Sequence, residues 1–140
     1  MTRFMMDTNT VSYIARNRSP RARALFKEAE RQSPVCLSVI TEAEILFGLA
    51  KRPDAHQAEH SMRVTLEGLI VLPWTSDAAA VYAKLRALNE KLGIAVGALD
   101  MLIAAHALSE NATLVTNDVA LTKLAGGPAT VNWADDIRPN

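Results

Sequence analysis

The sequence predicts an α/β fold: a parallel sheet of about five strands inside a three-layer α/β/α sandwich, over a single domain at 1–140. Three observations predict it. Short, strongly apolar runs alternate with longer stretches of helical periodicity. The runs lack the polar–apolar alternation of a half-exposed sheet, so they read as strands buried on both faces. Strands of that kind are joined by helical crossovers, which makes them parallel. No repeat, low-complexity tract or Pro/Gly/Ser-rich linker divides the chain.

The elements follow in order. RFMM (3–6) is the first strand and TVSYIARN (10–17) a short helix. SPRARALFKEAERQ (19–32) is a helix with Ser19 as N-cap and Pro20 at its first position, where a missing N–H costs nothing. VCLSV (35–39) is the second strand. Helices at 41–52 and 54–69 come next, parted by Pro53, and IVLP (70–73) is the third strand. Residues 76–93 form a long helix, capped by Ser76 and stopped at Gly93. ALDMLIAAHALSEN (98–111) is a further helix, TLVTN (113–117) the fourth strand, VALTKLAGG (119–127) a short helix and ATVNW (129–133) the fifth strand.

Composition narrows the function classes. Lys+Arg and Asp+Glu both number 15 and 49% of residues are hydrophobic, so there is no basic coat for nucleic acid. Basic residues do cluster locally: Arg16, Arg18, Arg21, Arg23, Lys27 and Arg31 share one stretch with only Glu28 and Glu30 opposing them. The single cysteine, Cys36, sits in an apolar run and reads as a buried small hydrophobe, not a nucleophile. Nothing resembles a signal peptide, and no apolar run approaches the roughly 18 residues of a membrane span. The expectation is a soluble, cytoplasmic protein without membrane contact.

Ligand sites in open parallel sheets lie outside the carboxyl ends of the strands. Asp7 follows the first strand, Asp118 follows the fourth, and Glu44 is expected in the first turn of the helix after the second. Asp100 opens the helix that precedes the fourth strand, and joins the same rim if that helix runs antiparallel to it. Each acid also has a local reading. Asp7 or Asn9 fits a cap for the first helix, Thr41–Glu44 fits a capping box, Asp100 favours a helix dipole, and Asp118 fits an N-cap. Glu42 and Glu44 lie about 200° apart around a helix, so one site takes only one of them. Glu44 shares a face with Gly48, where another element is expected to approach closely, and is the choice. Four gathered carboxylates repel one another, and a hard divalent cation such as Mg²⁺ or Mn²⁺ is the usual resolution. Such a site suits phosphodiester hydrolysis.

Beyond these residues the chain resembles PIN-domain ribonucleases, and more narrowly the VapC-type toxins of bacterial toxin–antitoxin pairs. MMDTN, SVITEAEILFG, LGIAVGALDMLIAAHAL and TLVTND are similar to that family's four acidic blocks, in order and spacing. VSYIARNRSP, KLRALNEKLG and the late VNW also fit, so the likeness covers nearly the whole chain. The resemblance implies a PIN-like sandwich and a metal-dependent endoribonuclease. It places the metal and catalytic role on Asp7, Glu44, Asp100 and Asp118, with Asn9 and Thr116 as supporting polar residues behind them. Helix capping then falls to Thr8 or Asn9, not Asp7. It also implies a homodimer and a VapB-type antitoxin that occludes the site and carries a DNA-binding domain. Two departures stand out: Ala95-Val96-Gly97 replaces a frequent Pro-Ile-Gly, and Leu121 and Leu124 replace a frequent Phe.

With no global charge to steer RNA, contact is expected from Arg16, Arg18, Arg21 and Arg23 near the Asp7 rim, and from Arg86 on a phosphate. The nearest resemblance is to members acting on tRNA anticodon loops, initiator tRNA among them; unpaired loops are the usual targets of specific RNA recognition. His106 lies about 240° around the helix from Asp100 and is assigned to packing. Two rival readings remain: a catalytically inactive PIN-like partner-binding module, and a phosphatase of the haloacid-dehalogenase type. The second is opposed by Asn9, which stands where the general acid of DxDx[TV] belongs.

Overall fold

The computed structural model describes residues 2–138; Met1, Pro139 and Asn140 lie outside them. Its five strands form one parallel sheet in the order β3-β2-β1-β4-β5. They are β1 (Arg3–Met6), β2 (Cys36–Ser38), β3 (Ile70–Leu72), β4 (Ala112–Val115) and β5 (Thr130–Val131). The helices are α1 (Thr8–Ala15), α2 (Pro20–Gln32), α3 (Val39–Ala50), α4 (His56–Glu67), α5 (Ser76–Lys91), α6 (Ala98–Ser109) and α7 (Val119–Thr122).

Side chains alternate across a strand, and here both faces meet helices. Met5 packs into a core with Leu85 of α5 and Ile103 and Ala104 of α6. Met6, its neighbour, enters a second core with Val11 and Ile14 of α1, Phe26 of α2 and Met62 of α4. Leu114 and Val115 of β4 divide the same way, as do Cys36 and Leu37 of β2. Both members of each pair are buried, which explains the unbroken apolar runs. Each such side chain contributes about 1.5–3 kcal/mol by leaving water. The edges depart from this pattern: Ile70 of β3 remains 47% exposed and Val131 of β5 36%. Burial on both faces therefore holds for the three middle strands only.

Several element starts differ from the sequence reading, each because a different oxygen caps the helix. Asp7 Oδ1 accepts from Thr10 N at 2.8 Å, so α1 begins at Thr8 and the cap is Asp7, not Thr8 or Asn9. Ser38 Oγ accepts from Ile40 N at 3.0 Å, so α3 begins at Val39 and the Thr41–Glu44 capping box does not form. Glu44 thereby moves to the second turn. Thr75, not Ser76, caps α5. Ser19 caps α2 as expected, accepting from Ala22 N at 3.0 Å. Its hydroxyl in turn donates to Asp136 at 2.6 Å, which pins the C-terminal segment to α2. Gly93, with φ of 73°, makes the left-handed turn after α5.

Candidate active site

The parallel sheet gathers the ends of its strands at one rim, and three acids open from it. Asp7 is carried by the β1–α1 junction, Asp118 by the β4–α7 junction, and Glu44 by α3 after β2. Asp100 sits in the first turn of α6, which runs back along the sheet before β4. Asp100 feels the other three. Asp100 is pushed from 3.8 up to about 6, first by burial and then by the charges of Asp118, Glu44 and Asp7. Asp7, 5% exposed, is also raised by burial, with Thr116 and Thr10 pulling the other way and Asp118 adding repulsion. Among the described residues none of the four is paired with a Lys, Arg or His. The rim is a surplus of negative charge without a protein counterion.

Capping and site membership are not alternatives here. Asp7 and Asp118 each cap a helix through Oδ1, Asp118 accepting from Ala120 N at 2.9 Å. A carboxylate carries a second oxygen, so one cap bond fixes its rotamer without exhausting it. Thr116 is buried, and its hydroxyl accepts from Asp118 N at 3.0 Å, so this threonine ties the β4 end to two of the acids. Gly97, at the N-terminus of α6, leaves room at Asp100: a Cβ there would stand 3.4 Å from Asp100 Oδ2.

Asn9 does not take the supporting position expected of it. It is exposed on α1, and the residue beside it does the work instead: Thr8 Oγ1 donates to Glu44 Oε1 at 2.7 Å. The signal for Thr8 was present, a hydroxyl directly after Asp7, but adjacent helical residues point about 100° apart and the sequence did not choose between them. Gly48 likewise faces no other element, with nothing within 4 Å of its would-be Cβ. It lines an open cavity of about 370 Å³ with Thr8, Arg16, Glu44 and Met62. Asn117, unremarked in the sequence, is buried and donates to Tyr13 Oη at 3.3 Å.

The basic residues divide. Arg16 lines the cavity beside Glu44. Arg18 lies against the Tyr13 ring, 6.0 Å from its centroid. Arg21 pairs with Asp135 at 2.7 Å. Arg23 donates to Ile14 O at 2.9 Å, which satisfies a carbonyl near the end of α1 and makes its task structural. Arg86 is bound to Glu90 and Tyr82 on its own helix. His106 is fully buried, 2.7 Å from Ser38 Oγ through Nδ1, and packs edge-on against Trp74.

Among the described residues no group of three or more His, Cys, Asp or Glu side chains is placed to hold a metal ion by itself. The donor set fits a hard cation of the Mg²⁺ type, which keeps several waters and takes one or two carboxylates plus a substrate phosphate. The raised pKa of Asp100, set first by burial and then by three neighbouring carboxylates, is what such an ion would lower.

A five-stranded parallel sheet with a rim of unpaired acids defines a class: the chain belongs to the PIN-domain family, whose model matches residues 4–127, and within it to the VapC-type members. Ribonuclease VapC2 of Rickettsia felis is 28% identical over 130 residues, spanning 93% of this chain and 97% of that protein. The tRNA(fMet)-specific endonuclease VapC of Shigella flexneri is 30% identical over 138 residues, spanning 96% and 100%. The crystal structure of VapBC2 from Rickettsia felis, bound to a DNA fragment from its promoter, matches with a TM-score of 0.86 at 27% identity, covering 93% of this chain and 98% of that one. DNA-bound VapBC from Salmonella typhimurium matches with a TM-score of 0.84 at 29% identity, covering 95% and 99%.

Proposed function

We propose that this chain is the endoribonuclease toxin of a toxin–antitoxin pair, dependent on Mg²⁺ or Mn²⁺ and acting on tRNA to stop translation. One observation supports the reading: Asp100, without a basic partner, is raised to about 6, first by burial and then by the charges of Asp118, Glu44 and Asp7. Asp7, Asp100 and Asp118, with Glu44, would hold the ion, which supplies charge for the scissile phosphate and lowers the pKa of attacking water. The chain's own contribution is to aim the oxygens. The caps at Asp7 and Asp118 and the Thr8 bond to Glu44 set three rotamers before substrate arrives.

Initiator tRNA is the favoured substrate because the Shigella flexneri relative, 30% identical, is a tRNA(fMet)-specific endonuclease. A VapB-type antitoxin partner is proposed on the solved VapBC assemblies. A homodimer is proposed as well, supported by the exposed apolar side chains Leu46 and Phe47 on α3 and Leu99 on α6. No described helix is long and apolar enough to cross a membrane. The phosphatase reading falls with the family assignment, and the exposed Asn9 gives it no second polar group in the site.

The test is cleavage of initiator tRNA by wild type and Asp7→Asn, with and without EDTA. Cleavage by wild type in Mn²⁺ alone is expected. Full activity in EDTA sinks the metal dependence. A folded chain that cuts no RNA in Mn²⁺ supports the inactive partner-binding module instead.

A further inference from the structure

We propose that the cavity between the C-terminal half of α5 and the start of α6 is a nucleobase pocket, holding one unpaired base of the substrate strand beside the carboxylate rim. The proposal rests on the RNA-cleaving reading above. The cavity measures about 450 Å³, and its walls include Tyr82, Arg86, Glu90, Ile94, Val96 and Met101. That volume falls within the roughly 300–1,000 Å³ of small-ligand sites. Ala98 completes the wall, and Val96 and Ala98 flank Gly97, whose would-be Cβ stands 3.4 Å from Asp100 Oδ2, so this side of the pocket adjoins one of the acids.

Its polar groups suit a base and not a phosphate. Arg86 Nε donates to Glu90 Oε1 at 2.8 Å, and Arg86 Nη1 donates to Tyr82 Oη at 2.8 Å. The guanidinium charge is cancelled at contact distance, and an approaching phosphate would meet the Glu90 carboxylate as well. What remains is a fixed set of donors beside a carboxylate acceptor, which matches a base edge carrying both kinds of group. An exposed i,i+4 pair contributes little to stability, so the fold does not require this one. The aromatic wall is also held in place: Trp74 meets the Tyr82 ring edge-on, centroids 6.2 Å apart and planes at 74°. Unpaired RNA bases are recognised by stacking on such rings and by hydrogen bonds to their edges.

Fluorescence anisotropy tests this on the full chain in EDTA, with single-stranded RNA hexamers that differ at one base at a time. One position should show a preference of about tenfold, and Tyr82→Leu should abolish it and weaken binding about tenfold. Glu90→Gln, nearly isosteric, should relax the same position while the melting curve stays unchanged. Arg86→Gln should weaken binding and leave the slope of log affinity against log salt as in wild type. A slope smaller by about 0.7 with base preference intact makes Arg86 a phosphate contact and overturns the pocket. Wild-type binding by folded Tyr82→Leu and Glu90→Gln overturns it too. Cleavage in Mn²⁺ is scored separately: a chain that cuts RNA but ignores base identity loses the pocket and keeps the nuclease reading, whereas one that does not cut loses that reading.

Discussion

Thr8 Oγ1 and Glu44 Oε1 are joined by a 2.7 Å hydrogen bond that runs from the first turn of α1 to α3, at the edge of a cavity of about 370 Å³. The bond couples the helix after β1 to the helix after β2, and it holds one acid of the rim by a neighbour of another. Thr8→Val keeps the shape and removes the donor. We expect cleavage to fall about tenfold while the fold loses only about 1 kcal/mol, the usual net worth of a partly buried hydrogen bond. Thr8→Ser should retain most activity. Initial rates on a fixed RNA and urea unfolding of the three proteins check both halves.

Asp100 should make the protein less stable as pH rises. Its folded pKa of about 6 lies above the ordinary 3.8, so the folded state holds the proton more tightly. That contribution is complete below pH 3.8 and is lost as pH rises through about 6. A shift of this size has a ceiling of about 3 kcal/mol, and partial solvent exposure brings it to about 1–2. Asp100→Asn should therefore raise the melting temperature at pH 8 while abolishing cleavage. Added Mn²⁺ should stabilise the wild type at pH 8 and not the variant. Calorimetry at pH 4.5 and 8 decides; equal stabilities of the two proteins at pH 8 refute it.

His106 should act on the acid side with the opposite sign. Burial lowers its pKa below 6.5, so the unfolded chain takes up the proton first. Its contribution is complete above pH 6.5 and fades as pH falls through the folded value. With the nearby Ser38 hydroxyl at 2.7 Å and the Trp74 ring on its flank, His106 is held neutral. NMR titration should find its ring protons unmoved from pH 8 to 6.5. A normal titration midpoint would refute the burial argument.

These residues show what the sequence made legible. Strand positions were readable because β1, β2 and β4 bury both faces, so pairs such as Met5 and Met6 print as unbroken apolar runs. That Asp7, Glu44 and Asp118 open from the carboxyl ends of strands was readable because those strands are parallel. The caps of α3 and α5 were not, since Ser38 and Thr75 compete with Thr41 and Ser76 within one turn and tertiary packing picks the winner. The same one-residue ambiguity hid Thr8 behind Asn9. Arg23 read as an RNA contact because nothing local shows that α2 folds back to bring it onto the Ile14 carbonyl.

Asn89 should matter for folding and not for cleavage. It is fully buried, donates through Nδ2 to Leu85 O at 2.9 Å and Ala125 O at 3.0 Å, and accepts from Ala125 N at 2.9 Å. The amide clamps α5 to the loop before β5. Asn89→Leu would leave both polar groups of Ala125 without this partner, at a cost of about 2–4 kcal/mol. Below its lowered melting temperature the variant should cleave at nearly the wild-type rate, because none of the acids contacts this loop in the hydrogen-bond network. A large loss of activity in the folded variant would contradict the separation.

Gly97→Ala separates site from scaffold in the other direction. Gly97 has φ of −59° and ψ of 151°, a conformation any residue adopts, so the backbone gives no reason for glycine. Alanine lowers the entropy of the unfolded chain, worth about 0.4–1 kcal/mol, and is a poorer N-cap by a similar amount. Stability should therefore change by less than about 1 kcal/mol in either direction. The new methyl would stand 3.4 Å from Asp100 Oδ2. It narrows the space open to a water or cation at that oxygen, beside an acid already raised by burial and three neighbouring charges. We expect about tenfold weaker Mn²⁺ affinity, with the rate of cleavage partly restored at high Mn²⁺. Titration of Mn²⁺ into both proteins by calorimetry reads the affinity directly. Equal affinities and equal rates would show that the space beside Asp100 is incidental to the chemistry.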